Sequence, residues 1–325
     1  GEYRYCYWNS AYHGQSECLG GKYFRNSGSC EESKNFISRY IDNTVDQALI
    51  QILLANGFEL KEEKNRKVFT SRDVSFAYKS IEIQSNGFKI TNPEIFGENK
   101  AQKTHITSDY ISVNLPFNEL IKMLENALYT DQIGSMNIFE IDLKNIKVMQ
   151  DNMDRKLPFA SVEWSIDKLY FKFDGYINQS IIDDINKNNQ FPNSNQSVEL
   201  LIKGVNFDKL TGYNGENLKD MPLELSSFKS NFKVNGNNMR IKSDLLTSFF
   251  TARLNGNIDI ENKDNPWINN ASLSISNIDP IVDDYIRLFE QQNGIKIQRL
   301  YNSINISASG SFNNPLINGI EPLSR

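Results

Sequence analysis

From Phe58 onward apolar and polar residues alternate along most of the chain, the period expected of strands with one buried face. Ile81 and Ile83, then Phe88 and Ile90 after an Asn86-Gly87 turn signal, predict a hairpin. Ile111, Val113, Leu115 and Phe117 predict a strand that leads into a helix carrying Leu120, Ile121, Leu124 and Leu128. In two later runs the phase slips. Phe139, Ile141 and Leu143 give way to Ile146 and Val148, and Val162, Trp164 and Ile166 give way to Leu169, Phe171 and Phe173. A slipped phase within a strand is the mark of a β-bulge or a sharp coil, so long, strongly curved strands are expected. The polar, Asn-rich stretch from Lys187 to Ser197, with Pro192, predicts a loop. Beyond it the alternation is very regular: Phe228, Ser230, Phe232 and Val234 share one face, and Ala252, Leu254, Gly256, Ile258 and Ile260 share another opposite Arg253, Asn255, Asn257 and Asp259. Asn235-Gly236 carries turn chemistry; Asn255-Gly256 does too, but Gly256 fits the strand pattern.

The longest helical pattern covers 36–56, with Phe36, Ile37, Tyr40, Ile41, Val45, Ala48, Leu49, Ile52 and Leu53 on a broad stripe and Asn56-Gly57 as its stop. Asp42 and Asp46 and the scarcity of flanking Lys and Arg favour a core helix over one lying on an anionic membrane. A strand-helix-strand unit fills Asn270 to Phe312. Ala271, Leu273 and Ile275 alternate; Asp279 is placed to cap a helix with Pro280 at its first position; Ile281, Val282, Tyr285, Ile286, Leu288 and Phe289 form its stripe and Gly294 its end. Ile304, Ile306, Ala308, Gly310 and Phe312 then share a face, and the run closes on Pro315. The same grammar recurs from Val113 to Ile121 and from Leu201 to Leu210, where Asn118 and Asp208 stand as caps, and more loosely from Leu169 into Ile181, Ile182 and Ile185.

The fold class these patterns predict is α+β and mostly β: a long curved antiparallel sheet, a trough or open roll, with several amphipathic helices packed on it. Three regions are expected: a Cys- and Tyr-rich segment at 1–32, a helix and sheet half at 33–190, and an antiparallel sheet with the strand-helix-strand unit at 191–325. A hydrophobic content of 39% with 11% aromatics suits long strands with one wet face. Lys and Arg number 35 against 40 Asp and Glu, a net charge of −5 without a basic cluster, which argues against a nucleic-acid partner. No apolar run reaches the roughly 18 residues that would span a bilayer, so a membrane anchor or signal peptide would have to lie outside this chain.

Cys6, Cys18 and Cys30 all fall in the first thirty residues at equal spacing. In an exported protein two of them are expected to form a disulfide that ties down this segment and leaves the third over. A zinc site from Cys6, His13, Cys18 and Cys30 competes with that reading, but no C-x-x-C pair is present. No catalytic constellation is legible. His13 and His105 lack metal spacing, Gly14-Gln-Ser16-Glu-Cys18 misses the nucleophile elbow, and the Asp183-Asp184 and Asp283-Asp284 pairs point about 100° apart on helices, as solvated faces do. The chain is therefore expected not to be an enzyme and to need no cofactor.

Ser272-Leu-Ser-Ile-Ser-Asn-Ile-Asp279-Pro, the helix after it, and Ile304-Asn-Ile-Ser-Ala-Ser-Gly310-Ser-Phe-Asn-Asn-Pro315 resemble the end of an AsmA-like protein, a family that closes on an alternating strand, a Gly and an Asx-Pro turn. The units at 111–128 and 198–210 resemble it more loosely, so that 58–318 falls within the resemblance and the Cys-bearing first thirty residues outside it. The resemblance implies a periplasmic, usually inner-membrane-anchored bacterial protein with a long twisted sheet folded into a trough, associated with phospholipid movement or outer-membrane homeostasis.

On physical grounds, a curved sheet with one apolar face and few helices to cover it must bury that face against itself, a partner or an acyl chain. The expected function is lipid binding or lipid transport in the cell envelope, with acyl chains held in a groove lined by Trp164, Ile166, Phe171, Phe173, Phe232, Leu254, Ile258, Ile275, Ile306 and Phe312. Two alternatives stand beside it. The same alternation could line a dry core in a scaffold subunit of an envelope or secretion complex, or the Tyr-rich segment could be the contact surface of a secreted adhesin or virulence factor.

Overall fold

The computed structural model describes residues 5–8, 16–19, 45–51, 53–55, 57–63, 65–116, 119, 136–178, 180–181, 183, 195–218, 224–262 and 264–323. All but residue 119 of the expected helix at 118–128, most of the loop at 187–197, the first part of the helix at 36–56, and His13 and Cys30 lie outside them. The strands in chain order are β1 (Tyr5–Trp8), β2 (Ser16–Leu19), β3 (Glu59–Glu63), β4 (Arg66–Ser71), β5 (Val74–Tyr78), β6 (Ser80–Gln84), β7 (Gly87–Thr91), β8 (Glu94–Glu98), β9 (Gln102–Thr107) and β10 (Tyr110–Asn114). They continue with β11 (Met136–Asn152), β12 (Ser161–Ile177), β13 (Gln196–Thr211), β14 (Glu224–Asn235), β15 (Asn238–Thr247), β16 (Thr251–Asp259) and β17 (Trp267–Ser276). The last are β18 (Ile295–Ile297), β19 (Arg299–Leu300), β20 (Ser303–Ser311), β21 (Leu316–Asn318) and β22 (Ile320–Pro322). Helical residues 45–55 form α1, interrupted by the undescribed 52, and Pro280–Asn293 form α2.

The strands from β3 to β17, with β19, β20 and β21, belong to one antiparallel sheet that does not close into a barrel. Almost every strand pairs with its neighbour in sequence, so the sheet is a meander. The expected boundary at 190/191 falls between β12 and β13, which pair from Ser161↔Thr211 to Asp174↔Ser197.

A crease runs across the strands. The chain passes 74–84, 87–98 and 102–114 are each broken at one level, at Lys79, Asn92-Pro93 and Ser108-Asp109, so β5 with β6, β7 with β8, and β9 with β10 are halves of single bent strands. The break continues through Asn145 in β11, Asp167 in β12, Gly204 in β13 and Ser226 in β14, residues that the ladders on both sides skip. Three of the break residues sit at positive φ: Asn92 at 48°, Asn145 at 51° and Gly204 at 62°. Asn and Gly are the residues that reach this region most cheaply.

Polar groups hold the crease together. Asn92 N–H donates to the Asp109 carbonyl at 2.9 Å and Asp109 N–H to the Lys144 carbonyl at 3.0 Å. Ser108 Oγ donates to that same carbonyl at 2.7 Å, and Asn145 Nδ2 donates to Asp109 Oδ2 at 2.5 Å. The extra residue turns the alternation by one step, so apolar residues three apart stay on one side. Leu143 with Ile146, Ile166 with Leu169, and Ile202 with Val205 all meet in one cluster. The phase slips in the sequence are thus bends, as expected of bulges.

α1 closes the first strands. Val45, Ala48 and Ile50 pack with Phe69, Tyr78, Ile81 and Ile90, and the Phe69 and Tyr78 rings stack at 5.9 Å. Asp46 accepts from the Tyr78 hydroxyl at 2.6 Å and pairs with Lys67. Burial pushes the Tyr78 phenol up to about 12 and lowers the Lys67 ammonium.

α2 is capped as its sequence indicates. The Asp279 side chain accepts from Ile281 N–H at 3.0 Å, Pro280 opens the helix, and Gly294 ends it at φ 63°. Asp279→Ala is expected to cost about 1 kcal/mol, readable as a lower urea midpoint at unchanged slope.

One expected element is different. Leu201–Leu210 is not a strand turning into a capped helix but part of β13, which continues past the crease to Thr211 with Asp208 inside the strand. Asn255-Gly256 likewise lies within β16, whereas Gly236, at φ 58°, turns β14 into β15.

Candidate functional site

The cross-strand registers assemble the apolar positions into rows that run the width of the sheet. Starting next to the crease, Ile81, Ile90, Ile111, Leu143, Leu169, Ile202, Phe228, Leu245, Ala252, Ile275 and Ile304 follow one another as directly opposed partners from β6 to β20. Two residues further along each strand the row is Ile83, Phe88, Val113, Ile141, Phe171, Leu200, Ser230, Ser243, Leu254, Leu273 and Ile306. Its two polar members satisfy each other, Ser230 Oγ and Ser243 Oγ lying 2.8 Å apart. A third row passes from Phe139 through Phe173, Val198, Phe232, Ile241, Gly256 and Ala271 to Ala308.

The reverse face is polar. Lys172 pairs with Glu140 at 3.6 Å, Lys168 with Asp142 at 3.5 Å, Lys229 with Glu199 at 3.5 Å and Arg253 with Asp244 at 2.7 Å. Tyr170 stands among these groups; burial, with Glu140 and other carboxylates adding to it, pushes its phenol up to about 12.

Among the described residues, cover on the apolar face is concentrated at its two ends. α1 packs on the first strands, and α2 lays Val282 and Ile286 against Ile275, Ile304 and Ile306. Among the described residues no helix packs on the stretch from β12 to β16. The face there is half-buried: Phe171, Leu200, Ile202, Phe228, Phe232 and Leu245 are neither sealed nor fully open, and Leu254 is 39% exposed. Aromatic rings meet across β11 and β12, with Phe139 at 5.7 Å from Phe171 and 5.5 Å from Phe173, and Trp164 lies 6.5 Å from Phe207.

Nine of the ten groove residues named from the sequence fall on this face. Phe171, Phe173, Phe232, Leu254, Ile275 and Ile306 sit in the three rows; Trp164 and Ile166 continue the face beyond the crease, opposite Phe207 and Val205; Ile258 extends it beside Met239. Ile166 and Phe173 are buried. Phe312 is apart from them: it lies past the end of β20, in a turn held by its N–H to the Pro266 carbonyl at 2.9 Å, and is 56% exposed. Leu200, Leu245 and Leu273 belong to the rows as well, and the plain alternation of their own strands could have found them.

Beyond this face, His105 and Arg66 share Glu94, with His105 Nε2 at 2.5 Å and Arg66 Nη1 at 2.7 Å from its carboxylate oxygens. Asp283, expected on a solvated face, instead receives Arg287 at 2.9 Å and Arg299 at 2.8 Å. β1 and β2 form a separate antiparallel pair in which Cys6 and Cys18 are directly opposite; among the described residues no disulfide bond is present. No family model, curated protein or solved structure matches the chain.

Proposed function

We propose that this protein binds lipid, holding acyl chains against the apolar face of its sheet, and that it serves lipid movement or homeostasis in a bacterial envelope, as its resemblance to AsmA-like proteins implies. The observation that carries the reading is the row of directly opposed apolar residues from Ile81 in β6 to Ile304 in β20, with two further largely apolar rows beside it, covered among the described residues only toward its ends. A contiguous apolar surface of this kind is unfavourable in water and marks a place where something else is buried. Each methylene taken from water contributes about 0.8 kcal/mol, so about ten of them supply roughly 8 kcal/mol before the cost of ordering the chain. The three rows contain no charged residue to anchor a head group, which fits a site that takes many lipids by their tails.

Native mass spectrometry of the purified protein is expected to show co-purifying phospholipid, and a fluorescent phospholipid is expected to partition onto it. Leu254→Asp with Ile258→Asp puts two charges in the half-buried middle of the face and is expected to lower that uptake at least about tenfold with the circular dichroism unchanged. Absence of lipid from the native protein together with equal uptake by parent and variant would remove the proposal.

A scaffold role in an envelope complex is favoured by a different observation. α2 turns Tyr285, Leu288 and Phe289 outward at 66%, 50% and 53% exposure, and Leu300 and Leu316 nearby in sequence are 67% and 66% exposed. Either role places the chain in the periplasm or outside the cell, where a Cys6–Cys18 bond would form. Directly opposed residues of an antiparallel pair have Cα atoms about 4.5–5.5 Å apart, inside the range a disulfide spans. Mass mapping of the oxidised protein is expected to find Cys6 joined to Cys18 and Cys30 free; a Cys30 linkage would reject that pairing.

A further inference from the structure

We infer that the polar face of the sheet, on the side away from the proposed lipid surface, carries a binding site for a small phosphate ester with several hydroxyl groups. A concavity of about 630 Å³ opens over β14, β15 and β16, lined by Lys233, Arg240 and Lys242 together with Asn231, Asn255 and Asn257. Lys233 and Arg240 are direct cross-strand partners, and Lys242 stands one step along the same face, opposite Asn231 on one side and Asn255 on the other.

Like charges placed opposite each other weaken an antiparallel pair. Elsewhere on this face Lys172 is matched with Glu140 and Arg253 with Asp244, while Lys144, Lys168 and Lys203 form a second row of opposed like charges in which Lys168 has Asp142 as its partner. Here the carboxylates are already engaged: Asp244, which also lines the concavity, holds Arg253 at 2.7 Å, and Glu199 holds Lys229, another lining residue, at 3.5 Å. Asp174 lines an adjoining concavity of about 450 Å³ with Lys233 and Arg240. No salt bridge joins it to either among the described residues. Three cations are therefore gathered without a salt-bridge partner among the described residues, in a chain whose net charge is −5.

The donor set selects the ligand. A guanidinium fork and two ammonium groups suit phosphate oxygens, and a recess of several hundred Å³ fits a ligand of sugar size where a flat anionic surface would need none. Carboxamides both donate and accept, as hydroxyl groups require. Among the described residues Asn257 has one side-chain bond, its oxygen accepting from Asn269 Nδ2 at 3.4 Å, which leaves its amide hydrogens for a ligand.

Isothermal titration of the intact protein with fructose 1,6-bisphosphate, inorganic phosphate and fructose, and co-sedimentation with phosphatidylglycerol vesicles, tests the site. The bisphosphate is expected to bind, inorganic phosphate about tenfold more weakly and fructose not at all, with affinity falling as salt rises from about 50 to about 200 mM. Lys233→Gln with Arg240→Gln is expected to weaken the bisphosphate at least about tenfold while melting no lower than the parent without ligand, since it relieves the opposed charges. Binding by neither phosphate probe, undiminished binding by the variant, or retention on vesicles alone would each overturn the inference. Because these probes carry no acyl chain, a failure here leaves the lipid reading standing.

Discussion

Arg299→Ala is expected to destabilise the C-terminal unit by about 2–4 kcal/mol, the penalty for leaving a buried carboxylate without its cation. Glu290 is the one buried residue of α2, and it receives Arg299 Nη1 at 2.9 Å, Arg299 Nη2 at 3.0 Å and the Ile297 N–H at 2.5 Å. Arg299 also donates Nε to Asp283 Oδ1 at 2.8 Å and Nη1 to the Ile297 carbonyl at 3.0 Å, so a single guanidinium at the start of β19 ties two turns of α2 to the end of β18. Lysine cannot reproduce that fork, and Arg299→Lys is expected to recover only part of the loss.

The same cluster sets an acid limit. The hydrogen bond from Arg299, reinforced by the Ile297 N–H, outweighs burial and holds the Glu290 carboxyl below its ordinary 4.5. Burial pushes Asp283 up, but the bonds from Arg299 and Arg287 prevail and lower it from 3.8. Carboxyls depressed in the folded state contribute stability that is fully present above their ordinary values and is lost as pH falls through the lowered ones. Stability from this cluster should therefore hold above about pH 4.5 and decline progressively below it. In Arg299→Ala that decline should be shallower, because the main cause of both depressions is gone. Urea midpoints across pH 3–6 for parent and variant check both points; parallel curves would show that Arg299 does not couple to these carboxyls.

What the sequence disclosed depended on how local each signal was. Asp279-Pro280 and Gly294 specify the ends of α2 within one turn of chain, and Asn235-Gly236 specifies a hairpin by itself. The phase slips at Leu143/Ile146 and Ile166/Leu169 were legible because long alternating runs flank them. The same three-residue step at Ile202/Val205 was hidden, since Val205-Asn-Phe-Asp208-Lys-Leu210 imitates a strand ending at a capped helix. Ladders to β12 and β14 on either side override that local preference. Within α2 the sequence showed six apolar residues as one stripe, but only Val282 and Ile286 pack on the sheet; Ile281, Tyr285, Leu288 and Phe289 face outward. The alignment of seven breaks into one crease, and the meeting of Lys233 with Arg240, exist only in the pairing of strands and cannot be read along the chain.

Gly204→Val is expected to cost about 3 kcal/mol and to weaken lipid uptake more than its stability loss alone would. Gly204 holds the crease in β13 at φ 62°, where a β-branched residue is a true outlier. A Cβ there would lie 2.0 Å from Asp167 Oδ2 and 2.9 Å from Asp167 Cβ, so the neighbouring crease residue cannot simply swing its tip aside. Relief requires the strand to extend through the break. Extension removes the extra step between Ile202 and Val205, and by the period of two it turns one flank of β13 to the opposite face. Either Leu200 and Ile202 or Val205 and Phe207 would then leave the apolar rows, interrupting the surface in its middle. Gly204→Asn, which tolerates positive φ, shares the crowding but not the backbone strain and is expected to lose less on both counts. If valine and asparagine prove equal in urea midpoint and in phospholipid uptake, the left-handed break at Gly204 is not what keeps the apolar rows in line.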